Sequence, residues 1–373
     1  MPDDAGSAPI RVALVGAGSA SRAYLRTLDS MVAAGVAVPG AVFDRNPARL
    51  RDLVQRRPSS EVSEQLDGLL ESDASLVVIT TPPASHAELT RQALEAGKHV
   101  LVEKPLAPTL AEGRELVELA HSRGLLLVVA PFVQLSPAFA MLHRFCSEHV
   151  LGDIHSARAM YGNTGSSWAS WYHTSGVGPL GDLAVYNIKS LAVLLGPVTQ
   201  VQAWSSTSSM TRHLPDGAAA TDPDTVNVRL QHRDGASSTI LASHAVWAYR
   251  RPAIELYGTE GTANLLGDDW DPDGIEVYRG EWGHWRSYAS PDRTWNWTDG
   301  LRTAVHALRT GDQRGLDNHV DLHVLEVVLA ARDSASDGGA PAAVTTTFAP
   351  PSLPDVPEAA VHVHDHSRPA SEQ

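Results

Sequence analysis

Ile10-Arg11-Val12-Ala13-Leu14-Val15-Gly16-Ala17-Gly18-Ser19-Ala20-Ser21 is the stretch that decides the fold. Ile10 to Val15 is a short apolar run stopping at Gly16, the pattern of a strand buried on both faces. Gly16, Gly18 and Ser21 occupy the three positions of a G-x-G-x-x-G turn, with Ser21 in place of the last glycine. Gly16 would permit the tight turn and Gly18 would let backbone approach a pyrophosphate. The third position needs mainly a small side chain, which Ser21 supplies. From Ser19 to about Ala34 the apolar residues Ala23, Leu25, Leu28 and Val32 recur at helical spacing. Strand, glycine turn and helix together predict a dinucleotide-binding start, with Gly16, Ala17, Gly18, Ser19 and Ala20 lining the phosphates.

Strands and helices alternate from there. Ala41 to Phe43 reads as a second strand, ending at Asp44. Pro47 to Arg56 reads as a helix, with Asn46 as its cap and Pro47 in its first turn. Leu76 to Thr80, His99 to Val102 and Leu125 to Ala130 read as strands. Ser85 to Ala96 and Leu110 to Arg123 read as helices. This alternation predicts a doubly wound parallel sheet over residues 10–131, after a disordered arm at 1–9. Asp44 lies 26 residues beyond Gly18. Its carboxylate would accept from adenosine ribose hydroxyls and repel a 2′-phosphate, which favours NAD. Arg45 beside it could receive the phosphate of NADP. Thr80, Thr81 and Pro82 follow a strand at the end where open α/β sheets bind ligands. His86 is either a first-turn helix residue or a cofactor contact.

The pattern changes after Pro131. Phe139 to His149 reads as one helix. Period-2 segments follow at Ile154–Tyr161, Gln200–Ser205, Thr225–Gln231, Ser238–Ala245, Ala253–Gly258 and Thr262–Leu265. Gly178 to Leu195 contains a helical stretch, and Val320 to Asp333 is a late helix. Residues 132–349 are expected to form a second α/β domain, a mostly antiparallel sheet with helices on one face. Residues 350–373, rich in Pro, Ala and charge, read as a flexible tail.

Composition narrows the function classes. The chain has 43 acidic and 29 basic residues and a formal net charge of -14, which argues against a nucleic-acid binder. No run approaches the ~20 apolar residues of a membrane helix. The acidic N-terminus lacks the basic start and apolar core of a signal peptide, so a cytoplasmic protein is expected. The single cysteine, Cys146, allows no intrachain disulfide and reads as a packed thiol within a helix. No metal is expected. His155, His173 and His244 lack ligand spacing, and the run His362-Val363-His364-Asp365-His366 is terminal and unframed.

Lysine is scarce: of 29 Lys+Arg only Lys98, Lys104 and Lys189 are lysine. A lysine kept against such a bias suits a place where Arg's rigid, permanently charged fork cannot substitute. Lys104 stands in Val102-Glu103-Lys104-Pro105, directly after a buried strand. Lys189 follows Asp182-Leu183-Ala184-Val185-Tyr186-Asn187-Ile188. It either shares a helix face with Tyr186, three residues back, or points to solvent. Asp182 can be a helix cap or a hydroxyl acceptor, and Tyr186 a buried aromatic or a proton-transfer group. Trp168, Trp171 and Tyr172 form either a platform for a sugar face or ordinary packing.

The segments Ala96-Gly97-Lys98-His99-Val100-Leu101-Val102-Glu103-Lys104-Pro105-Leu106 and Thr80-Thr81-Pro82-Pro83-Ala84-Ser85-His86 resemble the glucose-fructose oxidoreductase / inositol dehydrogenase (Gfo/Idh/MocA) family. Weaker supports are Ile254 to Thr262 and the helix around His323 to Val327. The resemblance covers about Ile10 to Val344. It implies a Rossmann domain, an open-sheet second domain that binds substrate and packs homodimers or homotetramers through its sheet, a nicotinamide cofactor, and hydride exchange with a sugar, cyclic polyol or related alcohol. It also implies that Glu103 and Lys104 border the cofactor. Many members carry Asp, Gly and His at positions matching Asp182, Ala184 and Tyr186. Branches resembling glucose-fructose oxidoreductase and dihydrodiol dehydrogenase use Tyr at the last of these. Lys189 replaces a later acid.

A phenol titrating near ~10 is a poor base unless a cation lowers its pKa. Lys104 would supply that cation and donate to the reacting oxygen. Tyr186 would move the proton and Asp182 would bind an adjacent hydroxyl. Two other readings share these residues. One is an NAD-dependent glycoside-cleaving enzyme that oxidises its substrate transiently. The other is a non-catalytic cofactor-binding sensor.

Overall fold

The computed structural model describes residues 8–165, 170–174, 176–208, 214, 217, 219–250, 252–268, 270–292, 294–356 and 363–365. The chain divides into two compact units, Met1–Phe132 with Trp297–Asn318, and Val133–Asn296 with His319–Gln373.

The first unit runs β1 (Ile10–Val15), α1 (Ser19–Ala33), β2 (Ala37–Phe43), α2 (Pro47–Arg56), β3 (Val62–Ser63), α3 (Leu66–Leu70), β4 (Leu76–Ile79), α4 (His86–Glu95), β5 (His99–Val102), α5 (Leu110–Ser122) and β6 (Leu127–Val129). Its sheet has the order β3-β2-β1-β4-β5-β6 and is parallel throughout. Every residue of β4 and β6 is buried, which is why these strands read as unbroken apolar runs. Capping supports the helices: Asn46 Oδ1 accepts from Ala48 N, and Thr109 Oγ1 from Glu112 N. Each such cap contributes about 1 kcal/mol. β2 begins four residues before the expected Ala41. Pro39 and Gly40 look like a turn, yet they form an irregularity in the β1–β2 pairing between Val12 and Leu14. There Gly40 passes so near Val12 that a Cβ would lie 3.2 Å from its carbonyl oxygen.

The second unit contains α6 (Pro137–Ser147), β7 (Ile154–Gly162), α7 (Val185–Leu195), β8 (Val198–Ser206), β9 (Thr225–His232), β10 (Ser237–Ser243), β11 (Ile254–Gly258), β12 (Gly261–Asp268), β13 (Asp271–Arg279) and β14 (Trp285–Ala289). The chain then rejoins the first unit through α8 (Gly300–Thr310) and ends in the second with α9 (Asn318–Ser336), β15 (Ala342–Ala343) and β16 (Val363–Asp365). The sheet order is β15-β8-β9-β10-β7-β11-β12-β13-β14-β16. Its pairings are antiparallel except β10 with β7. The alternating burial of β9, with Val226, Val228, Leu230 and His232 inward, matches its period-2 sequence.

Two segments behave differently from their sequence reading. Trp297–Asn318 falls in the sequence-defined second domain but packs into the first unit. The Trp297 ring stands edge-on to Tyr24 at 5.6 Å, and Thr298 Oγ1 lies 2.6 Å from Thr27 Oγ1. Within the expected flexible tail, Val363–Asp365 pairs with the edge strand β14. An unpaired edge offers ready partners to any extended segment, whatever its composition.

Lys189 lies inside the second unit. Its Nζ donates to Asp321 Oδ1 at 2.7 Å, with the side chains only 3% and 6% exposed. Of the two alternatives for this residue, burial excludes solvent: α9 supplies an acid that the local sequence does not. Breaking such a pair strands a buried charge, at about 3–5 kcal/mol. Lys189→Met should destabilise the protein by that amount in denaturant titrations. Lys189→Met/Asp321→Leu should recover most of it, because apolar replacement of both partners removes the stranded charge.

His323 gives a second test. Its Nε2 accepts from Val198 N at 2.9 Å and its Nδ1 lies 3.0 Å from Thr346 Oγ1. The ring is therefore held neutral, and burial pushes its pKa down from 6.5 to about 4. Between these values the unfolded chain binds a proton that the folded chain refuses, so stability falls as pH falls. At 1.36 kcal/mol per unit the loss from pH 7 to 4 is about 3 kcal/mol. His323→Gln should flatten this part of the stability–pH curve in urea unfolding, and an unchanged slope would contradict the assignment.

Candidate active site

The nucleotide site of the first unit is built where β1, β2 and β4 end. Gly16 has φ +108° and donates its N–H to Phe43 O at 2.7 Å. A Cβ there would meet Thr80 Oγ1 at 2.8 Å. Thr80 closes the turn by donating its N–H to Val15 O at 2.9 Å and its hydroxyl to Gly16 O at 3.2 Å. Ser21 is buried and donates to Gly18 O at 2.7 Å, so the hydroxyl that departs from the glycine pattern ties the turn to α1. Gly18 caps α1 without a side-chain partner, and nothing lies within 4 Å of a Cβ built on it. With Ser19 and Ala20 it leaves main-chain N–H groups at a helix N-terminus, which fits a dinucleotide pyrophosphate, whereas the expected Ala17 N–H is taken up inside the turn by Asp44.

Asp44 is more deeply engaged than its sequence suggests. Oδ2 accepts from Ala17 N at 2.8 Å and Oδ1 from Asn46 N at 2.8 Å. The side chain is 4% exposed, with Arg49 Nη1 at 3.5 Å. A carboxylate has about four acceptor positions, so it can anchor the glycine loop and still receive a ribose hydroxyl. Arg45 beside it is exposed.

Thr81 and Pro82 are half-buried in the loop after β4. His86 is 1% exposed, with Nδ1 2.8 Å from Pro105 O and Nε2 2.7 Å from Thr81 O. Both nitrogens thus face the chain's own carbonyls, and a neutral ring donates to one of them, so His86 sits between the Thr81 loop and the Lys104-Pro105 turn. Burial lowers its pKa, opposed by the two carbonyls and Glu103. Glu103 is buried and accepts from Tyr24 Oη at 2.7 Å. Its Oε2 lies 3.3 Å from Lys104 N, and Lys104 itself reaches partial exposure just beyond β5. Tyr24, on α1, carries no sequence mark of this contact, because Glu103 lies 79 residues away.

The second unit assembles its own polar and aromatic cluster. A π-helical turn, Leu180–Ala184, precedes α7 and carries Asp182. Such widened turns disturb the regular ladder and occur frequently at functional sites. Asp182 Oδ2 lies 3.1 Å from His244 Nε2, and the His244 ring stands edge-on to His173 at 5.5 Å. Tyr186, buried at the start of α7, meets the Tyr161 ring at 5.8 Å, and Tyr161 meets Trp270 at 6.3 Å. Tyr172 is half-buried in the short turn Ser170–His173, which also includes Trp171. Trp168 lies outside the described residues, as do His362 and His366. His244, His173, Tyr161 and Trp270 are the members that sequence reasoning did not bring to the site. Among the described residues no group of three or more His, Cys, Asp or Glu could hold a metal ion, and no helix is long and apolar enough to cross a membrane.

Gly16→Ala tests the nucleotide half. The positive φ and the Thr80 contact together should cost about 1–3 kcal/mol, visible in thermal unfolding, and NADH titration should weaken in parallel. Gly18→Ala, where a methyl meets open space within the protein, should spare stability and weaken only NADH binding.

Comparison with known proteins gives the family. Residues 10–130 match the GFO/IDH/MocA oxidoreductase family model with an NAD-binding Rossmann fold, and residues 139–264 match the GFO/IDH/MocA C-terminal domain. The trans-1,2-dihydrobenzene-1,2-diol dehydrogenase of Bos taurus is 27% identical over 300 residues, covering 78% of this chain and 85% of the relative. The dTDP-3,4-didehydro-2,6-dideoxy-alpha-D-glucose 3-reductase of Streptomyces violaceoruber is 30% identical over 256 residues, covering 67% and 71%. A levoglucosan dehydrogenase solved with NADH and levoglucosan has a TM-score of 0.80 at 21% identity, covering 91% of this chain and 100% of that one. The chain belongs to the Gfo/Idh/MocA family of NAD-binding oxidoreductases.

Proposed function

We propose that the protein transfers hydride between NAD and a secondary hydroxyl, or the matching ketone, of a sugar, cyclic polyol or related ring-borne diol. The observation that carries this reading is the Asp182 carboxylate, tied by His244 one turn before Tyr186. Such an acid accepts from a hydroxyl and has no evident use toward an apolar substrate. The family relatives, a diol dehydrogenase and a deoxysugar 3-reductase, point the same way.

Nicotinamide, when bound, takes or returns the hydride. Lys104 donates an N–H to the reacting oxygen and stabilises the charge that develops on it. The Tyr186 phenolate takes the hydroxyl proton during oxidation and returns it during reduction. Asp182 accepts from the neighbouring hydroxyl and orients the ring. Glu103, held by Tyr24, and His86, held between two carbonyls, set the backbone from which Lys104 projects. Asp44 accepts from the adenosine ribose, and Arg45 would decide any use of NADP. Tyr172 contributes a face for the substrate ring.

We also assign the protein to the cytoplasm and to a homo-oligomer joined through the second unit's sheet. The half-buried Met160, Leu241, Tyr257, Tyr278 and Trp285 and the exposed Trp204 support that surface.

The reading is tested by steady-state growth of reduced-nicotinamide absorbance over a panel holding levoglucosan, trans-dihydrobenzenediol and inositols. Wild type should turn over at least one ring-borne diol. Lys104→Met and Tyr186→Phe should each lower kcat by about 100-fold or more with NADH binding kept. Wild-type turnover in both variants would remove their assigned roles.

A further inference from the structure

His244 is the first residue after β10 and is 1% exposed, although nothing in its local sequence marks it. It is held at both ends. Its N–H donates to Asp224 O at 2.7 Å, and its Nε2 lies 3.1 Å from Asp182 Oδ2. The polar groups around it come from several elements. Asp182 faces it from the π-helical turn and His173 from the Ser170–His173 turn. Ser243 precedes it on β10, and its hydroxyl lies 2.8 Å from Thr225 Oγ1. The Asp224 carboxylate is turned to Ser208, whose N–H and hydroxyl donate to it at 3.0 and 2.6 Å.

An ionised carboxylate can only accept, so the proton of this contact belongs to His244 Nε2. The donor is deeply buried, whereas the Asp182 side chain is 19% exposed. The contact therefore joins a rigid anchor to an acid that reaches the surface of its own unit. Fixing the carboxylate in advance removes the rotamer entropy that a bound hydroxyl would otherwise have to repay. Asp182 precedes Tyr186 by four residues, about one helical turn, so the two side chains leave the chain on one face.

We propose that His244 is a positioning residue that acts through Asp182 and makes the protein selective for vicinal diols. Tyr186 engages the hydroxyl that reacts, and the His244-anchored Asp182 engages the hydroxyl on the next carbon. This deepens the dehydrogenase reading and rests on it. The His173 ring packs against the His244 ring edge-on.

The test uses the full-length protein with NAD and whichever diol of the panel it oxidises. His244→Phe keeps the bulk but removes the donor, and His244→Gln returns an N–H near the Nε2 position. His244→Phe should raise KM about 10- to 100-fold and change kcat less than about threefold, because the contact is made in ground and transition states alike. NADH affinity should not move, and His244→Gln should recover most of the loss. In an Asp182→Ala background His244→Phe should cost nothing further. Equal losses in the Phe and Gln variants, or additive losses in the double variant, would overturn the proposal. Nitrogen-15 NMR of the histidine rings gives a readout free of substrate. His244 should carry its proton on Nε2, with a signal that shifts in Asp182→Asn. A ring protonated on Nδ1 alone, or insensitive to Asp182, overturns the pairing. Wild type turning over no diol fails the dehydrogenase reading instead, and the NMR outcome still decides whether His244 anchors Asp182.

Discussion

Three strand ends converge on one residue without a side chain, and the first unit is organised around that convergence. β1 turns at Gly16, β2 ends at Phe43 and Asp44, and β4 ends beside Thr80. Each contributes a hydrogen bond to the turn: Phe43 O accepts from Gly16, Asp44 from Ala17, and Thr80 donates to Gly16. These bonds close the turn with the chain's own groups, and the N-terminus of α1 at Gly18 suits a negative group. In this order of strands the reversal falls between β1 and β4, the place where open α/β sheets bind ligands.

The second unit depends on a different kind of constraint. α7 is buried along most of its length, and it carries a lysine into that core. The cost is met by Asp321 from α9, which also fixes how α7 lies against its neighbours. The π-helical turn just before α7 then carries Asp182, and the start of the helix carries Tyr186. Structure and proposed chemistry meet in one helix: its buried side sets its position, and its N-terminal end holds the acid and the phenol to which we assign the substrate roles. The three lysines separate along these lines. Lys98 donates to Ser72 O, Lys189 pairs in the core, and Lys104 occupies the turn after β5.

The nucleotide half was largely legible because its parts lie close in sequence or in consecutive strands. Continuous apolar runs mark the parallel strands, glycines mark the turn, and an acid marks the end of β2. The second unit was legible only in outline. β13 and β14 escape the period-2 reading because Asp271, Pro272, Asp273 and Gly274 look like a turn, yet they pair in a sheet whose neighbours supply the order. α8 escapes assignment to the first unit because its partners, α1 and Phe132, lie far upstream.

The sequence by itself determined the fold class, the glycine turn, the acid after β2 and the lysine after β5, since each rests on local spacing and side-chain chemistry. Only the tertiary structure decided what those groups touch. His244 reaches Asp182 across 62 residues, Asp321 reaches Lys189 across 132, and Tyr24 reaches Glu103 across 79. The physical reason is that a buried polar group must find a partner, but burial is set by the packing of distant elements. Local sequence announces the need for a donor or acceptor, and the folded chain chooses which one answers.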